Sequence, residues 1–107
     1  MKIKDMLYIL WTQTHEDTGW LQLSTEIKYR RKNGWVYVHI ENLAKPSSNV
    51  IGTLPAGFRP SLNVQPYIRT NSGTPISAWI TNEGKINVDA SSIPSSAVIA
   101  GFVAFPV

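Results

Sequence analysis

Two aromatic side chains among amides, a hydroxyl and a carboxylate form the most chemically suggestive set in this sequence of 107 residues. They fall on the segment from residue 49 to residue 90, where two predicted hairpins place them on one face of an antiparallel meander. Such a face suits a polar ligand that also has apolar patches, and a sugar is such a ligand. Trp79 is the predicted stacking platform. The predicted hydrogen-bonding partners are Gln65 and Asn87 in its cross-strand row and Tyr67 and Asp89 in the next, with Ser77 between them.

A second interpretation of this face is that it packs on another sheet or on a neighbouring subunit, because Trp and Tyr are common at subunit contacts. The sequence leaves both interpretations open. They differ in whether Trp79 is exposed to solvent or covered.

The strand register that creates this face follows from two loops that each end in glycine, Asn71-Ser72-Gly73 and Asn82-Glu83-Gly84. A three-residue loop with Gly last is typical of a type I turn closed by a left-handed residue. Because a slip of one residue would turn every side chain to the opposite face, the match of apolar partners supports the register. The predicted pairs are Ile68 with Ile76, Val64 with Ile80, Ile80 with Ile86, and Ala78 with Val88.

A third hairpin predicts a second candidate face. Asn33-Gly34 separates two alternating runs and is typical of a type I′ turn. One face carries the apolar or core-facing pairs Arg31–Val36, Tyr29–Val38 and Ile27–Ile40; the other carries Lys32–Trp35, Arg30–Tyr37 and Lys28–His39. The alternative ligand-binding set is therefore Arg30, Trp35, Tyr37 and His39, which could stack on sugars or bind an anionic polymer. A solvated outer sheet face stiffened by cross-strand pairs is the competing interpretation.

Composition bounds the class of protein. The chain is 43% hydrophobic, 16% charged and carries a net charge of +3, with no cysteine. These values predict one domain without disulfides or thiolate metal sites. The low charge, together with many Ser, Thr, Asn and Gly residues, suits an all-β protein with many turns. No nucleic-acid motif accompanies the modest charge. The apolar run from residue 6 to residue 11 is too short to span a bilayer, and we interpret it as a first strand or an oligomer-contact segment.

The polar residues that follow that run predict a connector rather than a metal site. His15, Glu16 and Asp17 are adjacent, so on an extended chain they point to opposite sides, and a solvated loop is expected. His39 and Glu41 lie two residues apart, but no third ligand accompanies them. We therefore predict no metal and no cofactor. The predicted organisation is a connector or oligomer-contact segment over residues 1–18 and a β-sandwich domain over residues 19–107.

The last apolar segment predicts burial on two sides. Residues 97–105, AVIAGFVAF, are apolar at nearly every position, and a strand that is apolar on both faces is expected to be covered on both. In a small domain the second cover would be another sheet or another copy of the chain. Upstream, residues 50–53 predict a short strand and residues 54–60 a rigid turn with two prolines.

Two segments resemble a known family. Thr53-Leu54-Pro55-Ala56-Gly57-Phe58-Arg59-Pro60, with the hairpins and apolar strand that follow it, is similar to the C-terminal head domains of phage tail fibres and baseplate receptor-binding proteins. Asp17-Thr18-Gly19-Trp20 looks like a segment that precedes the first hairpin in similar phage proteins. The resemblance covers roughly residues 17–107. It implies a β-sandwich or jelly-roll head, a homotrimer, a place at the tip of a virion tail fibre or baseplate among other tail proteins, and adhesion to host cell-wall saccharide.

Three functions therefore compete. The leading one is a receptor-binding module that holds a cell-surface saccharide without cleaving it. The second is a structural capping or trimerisation domain of a virion tail protein. The third and weakest is a polysaccharide-cleaving enzyme, because carboxylate catalysis needs two acids at a defined separation. The available acids are Asp5, Glu16, Asp17, Glu26, Glu41, Glu83 and Asp89.

Overall fold

The computed structural model describes Lys4 and residues 16–107 of the chain. The strand or contact segment predicted for residues 6–11 and the side chain of His15 lie outside the described residues. The strands are Leu21–Gln22 (β1), Ile27–Lys32 (β2), Trp35–Ala44 (β3), Val50–Thr53 (β4), Tyr67–Thr70 (β5), Pro75–Ile76 (β6), Ala78–Ile80 (β7), Lys85–Val88 (β8) and Val98–Pro106 (β9). A single turn of 3-10 helix covers Ala90–Ser92.

These strands form two antiparallel sheets. One sheet has six strands in the order β1-β2-β3-β9-β5-β6, and the other has three in the order β4-β8-β7. Their facing sides share one apolar core, so the predicted all-β antiparallel sandwich is confirmed. The fully buried core residues are Ile27, Val36, Val38, Ile40, Ile68, Ile99 and Phe105 from the larger sheet, Ile80, Ile86 and Val88 from the smaller, and Leu54 and Ile93 from loops.

The Asn-Gly hairpin has the predicted geometry. Asn33 and Gly34 both have positive φ, at 52° and 79°, as a type I′ turn requires. All of the pairs predicted between β2 and β3 are present, from Ile27 opposite Ile40 to Lys32 opposite Trp35. The register across this hairpin is therefore confirmed.

The register of the two glycine-ended loops is confirmed as well. Gly73 and Gly84 have φ of 92° and 85°, and each donates its backbone N–H to the residue three positions earlier, Thr70 and Thr81, over 2.9 Å. All four apolar pairs predicted from these loops are observed.

The meander itself is not one sheet, and this is a correction to the expected topology. The strand between the two loops breaks at Ser77, so that β6 pairs with β5 in the larger sheet while β7 pairs with β8 in the smaller. Pro66 lies on the adjacent segment, just before β5, and has no backbone N–H with which to continue the hydrogen-bond ladder. Instead, the Ser77 carbonyl accepts a hydrogen bond from the Asp89 backbone N–H, 2.9 Å away.

Strand β9 lies near the middle of the larger sheet, between β3 and β5. Gly101 on β9 faces Ile68 on β5, and a Cβ built at Gly101 would collide with the Tyr67 carbonyl oxygen and lie 2.6 Å from Ile68 Cγ1. Only glycine lets these two strands approach so closely. The outward side of β9 is left uncovered, with Phe102 exposed, so the second cover expected for this strand is absent within the described part of one chain.

The Leu54–Pro60 turn ties the two sheets together. Leu54 is fully buried; its N–H donates to the Gly84 carbonyl over 2.8 Å, and its carbonyl accepts from Arg59 Nε over 2.9 Å. The Phe58 N–H closes a turn onto the Pro55 carbonyl at 3.1 Å, as Gly57, with φ of 89°, permits.

The same turn is anchored to β2. Arg31 Nη1 donates to the Gly57 carbonyl over 2.7 Å, and the Phe58 ring stands edge-on to Tyr29 with 4.9 Å between ring centroids. The predicted rigid turn is thus confirmed as a packing element.

Candidate functional site

The cross-strand partners predicted around Trp79 are present, but their polar groups are used internally. Trp79 lies opposite Asn87, which pairs on its other side with Val50. Asn87 is only 9% exposed, and its Nδ2 donates to the Lys85 carbonyl over 3.1 Å. Its amide therefore presents little surface to a ligand.

Asp89 is also committed to a structural role. Its carboxylate oxygens accept hydrogen bonds from Ser91 Oγ and Ser92 Oγ, both over 2.6 Å. These hydroxyls hold the pKa of Asp89 below its usual value. The carboxylate thereby holds the 3-10 turn that follows it.

Two of the five predicted saccharide ligands share a depression. Gln65 and Trp79 line a hollow of about 410 Å³ at the point where the chain changes sheet, together with Ser77. Tyr67 is not part of it. Since Tyr67 belongs to β5, it projects from the six-stranded sheet, and the predicted set is divided between the two sheets.

On the six-stranded sheet, Tyr67 joins the residues of the alternative set. Tyr67 is paired with Phe102 on β9, and Phe102 is paired with His39 on β3. His39 in turn faces Lys28 on β2. This row crosses four strands on the side of the sheet that faces away from the core.

The outer side of this sheet carries a continuous set of rings. Tyr37 lies 6.4 Å from Phe102 between ring centroids, and Trp20, just before β1, lies 6.4 Å from His39. The exposed fractions are 50% for Trp20, 46% for Trp35, 49% for Phe102 and 62% for Tyr67. We call this surface the aromatic face, and it comprises Trp20, Trp35, Tyr37, His39, Tyr67 and Phe102.

Arg30 is fixed beneath Trp20 at one end of the aromatic face. Its guanidinium carbon is 5.8 Å from the centre of the Trp20 ring, within the range of a cation–π contact. Asp17 accepts hydrogen bonds from Arg30 Nε, over 2.8 Å, and from Arg30 Nη2. The Arg30 guanidinium, helped by the Gly19 N–H, lowers the pKa of Asp17 to about 2. The Asp17-Thr18-Gly19-Trp20 segment is thus a clamp on Arg30.

Glu16 and Asp17, for which a solvated loop is expected, are partly exposed but are also tied to β2 by their side chains. Glu16 Oε1 accepts from Arg31 Nε over 2.9 Å and from the Gly34 N–H over 2.8 Å. Arg31, with the Gly34 N–H, lowers the pKa of Glu16. The two acids point to opposite sides, as expected for an extended chain, and each forms a salt bridge with a different arginine of β2.

Three shallow depressions follow the aromatic face. One, of about 250 Å³, is lined by Trp20, Arg30, Lys32 and Tyr37. A second, of about 360 Å³, shares Trp20 with the first and is otherwise lined by Lys28, His39 and Glu41. The third, of about 280 Å³, is lined by His39, Ile40, Glu41, Tyr67, Arg69, Ala100, Gly101 and Phe102.

The sequence did not identify Trp20 and Phe102 as members of the aromatic face. Trp20 could have been found by continuing the β2 register outward, since Leu21 pairs with Tyr29 and places Trp20 beside Arg30. Phe102 could not, because its neighbours His39 and Tyr67 are distant in the sequence. Glu26 and Glu41 line a common depression of about 240 Å³, a proximity that the sequence did not indicate.

Within the described residues, no group of three or more His, Asp or Glu side chains is arranged to hold a metal ion. No helix in that part of the chain is long and apolar enough to cross a membrane. Comparison of the chain with protein-family models, with curated proteins and with solved structures found no match in any of the three.

Proposed function

We propose that this chain is a non-enzymatic adhesion module that binds a cell-surface saccharide on its aromatic face. The observation that carries the proposal is the placement of rings from three strands, and from the segment just before β1, on one side of a sheet whose other side is fixed by the core. Rings held in this way form a preorganised surface, and a ligand that stacks on them loses little affinity to ordering of the protein.

The groups between the rings match the remaining chemistry of a sugar. The C–H patches of a sugar ring pack on aromatic faces, while its hydroxyls both donate and accept hydrogen bonds. Lys28 and Arg69 offer donors beside the rings, and Glu41 offers an acceptor, in the depressions on either side of His39.

We prefer this site to the one around Trp79 because the polar side chains near Trp79 are buried or already form internal hydrogen bonds. Asn87 is buried and Asp89 is held by two serine hydroxyls, so a ligand over Trp79 would find mainly Gln65 and Ser77. The depression around Trp79 is therefore a useful comparison site for experiments.

The biological setting we propose is the tip of a phage tail fibre or baseplate, where the chain would act as a homotrimer on host cell-wall saccharide. Its support is the resemblance of the Thr53–Pro60 and Asp17–Trp20 segments to receptor-binding heads. Each segment also has a structural role: the first joins the two sheets, and the second holds Arg30 in place.

A second candidate function, self-association as a capping or trimerisation domain, is favoured by the outer side of β9. Ala100, Phe102 and Ala104 alternate there without a polar side chain, and Phe102 is half exposed. A second copy of the chain that covers this strip would remove apolar surface from water.

Binding to a glycan array and to host cells by the whole chain tests the proposal. Trp20→Ala should abolish binding, because it removes the wall shared by two depressions, while Trp79→Ala should leave binding unchanged. Sedimentation of the same samples reports self-association, and chromatography of the bound glycan should show unchanged length. Loss of binding in Trp79→Ala alone would contradict the proposal, as would shortened glycan.

A further inference from the structure

The two depressions beside Trp20 differ in charge. The one lined by Arg30, Lys32 and Tyr37 has two cations and no carboxylate in its lining. The one on the other side of Trp20 has Lys28 opposed by Glu41. A ligand that crosses Trp20 therefore meets a positive end and a balanced end.

Asp17 offsets the charge of Arg30 but does not line the depression. Its carboxylate accepts from Arg30 Nε and Nη2 and from the Gly19 N–H, and the charge of Lys32 also helps to lower its pKa. Lys32 is paired with Asp17 through the backbone, and its exposed ammonium forms no salt bridge with any described residue. Lys32 is thus the cation available to a ligand, with Arg30 fixed beside it.

Aromatic walls make this end more than a patch of positive charge. Trp20 and Tyr37 flank the two cations, so a sugar ring can pack on an indole or phenol ring while its substituent reaches the ammonium. Because the Lys32 ammonium is exposed, solvent weakens its attraction for an anion, and the expected preference for an acidic over an uncharged substituent is about two- to fivefold.

We infer that the ligand is an acidic saccharide, and that its anionic group lies in the depression between Trp20 and Tyr37, on Lys32. The inference rests on the proposed function, since it names the class of saccharide that the aromatic face takes. The anion is a sugar carboxylate or a phosphodiester, because both present oxygen acceptors to an ammonium. The neighbouring part of the ligand then packs on the far side of Trp20, where Glu41 accepts from its hydroxyls.

The test uses an array that carries uronic-acid, sialic-acid and phosphodiester saccharides, each beside its carboxyl-reduced or phosphate-free counterpart. The wild-type chain should bind acidic members about two- to fivefold more tightly than their neutral counterparts. Lys32→Met should remove that preference while retaining the weaker neutral binding. Lys85→Met is the matched control, because Lys85 is an exposed cation on the smaller sheet. Retention of folding in both variants is checked by circular dichroism.

The outcomes separate the inference from the function on which it rests. Hits confined to carboxylates or to phosphodiesters identify which anion is bound. Equal binding of acidic and neutral counterparts, with loss of both in Trp20→Ala, overturns the acidic ligand and leaves the saccharide site intact. The absence of any hit overturns both.

Discussion

Tyr67 and Phe102 stand opposite each other on β5 and β9, and both are largely exposed on the outer side of the six-stranded sheet. The pair continues the row that begins with Lys28 and His39, so the aromatic face extends from the sheet edge at β1 to β5. Gly101, next to Phe102, makes this possible because it lets β9 approach β5 closely. The position of the two rings thus depends on a glycine on the other side of the strand.

Replacement of Gly101 by alanine should destabilise the domain by about 1–3 kcal/mol or more, because the added Cβ meets the backbone of Tyr67 and the side chain of Ile68. Gly52→Ala is the matched control, since the one close approach of its Cβ, at 2.8 Å, is to the end of the Leu23 side chain, which can rotate away. Urea unfolding of both variants measures the difference. A Gly101→Ala variant as stable as Gly52→Ala would contradict the close approach of the two strands.

Leu54→Ala should lower the free energy of unfolding by about 2–5 kcal/mol, since the side chain is fully buried where the two sheets meet. Leu62→Ala provides the control within the same loop region: its side chain is 78% exposed, and a change within about 0.5 kcal/mol is expected. Thermal and urea unfolding distinguish the two. Similar losses in both variants would show that the Leu54–Pro60 turn does not hold the sheets together.

Stability should fall on acidification through the Asp17–Arg30 pair. The folded-state pKa of Asp17 is about 2, below its usual value of 3.8, so the contribution of the pair is complete above that usual value. It is lost as pH falls from about 4 through 2. Urea unfolding from pH 5 to pH 2 should show a steeper fall for the wild type than for Asp17→Asn, with the two curves converging near pH 2.

Glu83→Gln controls for the general effect of removing a carboxylate, because Glu83 is exposed in a turn and takes part in no salt bridge among the described residues. This variant should keep the wild-type pH dependence. If the wild-type and Asp17→Asn curves run parallel down to pH 2, Asp17 does not stabilise the folded chain through its charge.

Phe102→Asp and Val103→Asp should differ although the residues are adjacent. Phe102 projects outward and is half exposed, so its replacement should leave a folded domain. Val103 packs against the core, where an unpaired charge is costly, and its replacement should unfold the domain. Circular dichroism reports folding. Sedimentation of Phe102→Asp beside the wild type then reports whether copies of the chain associate through the outer side of β9.

The parts of this fold that are local in sequence could be predicted. Asn33-Gly34 and the glycines at residues 73 and 84 set the register of three hairpins, because each turn has a backbone conformation that few residues adopt. The exchange between sheets at Ser77 could not be predicted from alternation, since apolar residues continue with the same period on both sides of it. Pro66 is the residue that marked the break.

The site could be predicted only in part for the same reason. The residues of the β2–β3 hairpin were placed on one outer face correctly, because a tight turn joins them. On that face β3 is followed by β9, whose residues 98–106 pair with residues 35–44, and then by β5, which pairs with β9. These strands are distant in the sequence, so no local pattern indicates the pairing. The commitment of Asp89 to two serines that follow it was local and could have been anticipated as a turn.

The most direct test of the account follows the indole N–H signals of the four tryptophans in a ¹H–¹⁵N spectrum while the tightest-binding array saccharide is added. Single Trp→Phe variants assign the signals. If the aromatic face is the binding site, the Trp20 and Trp35 signals shift with the saccharide concentration and the Trp79 signal stays in place. A shift of Trp79 without any change in Trp20 and Trp35 would place the saccharide on the smaller sheet and contradict the account.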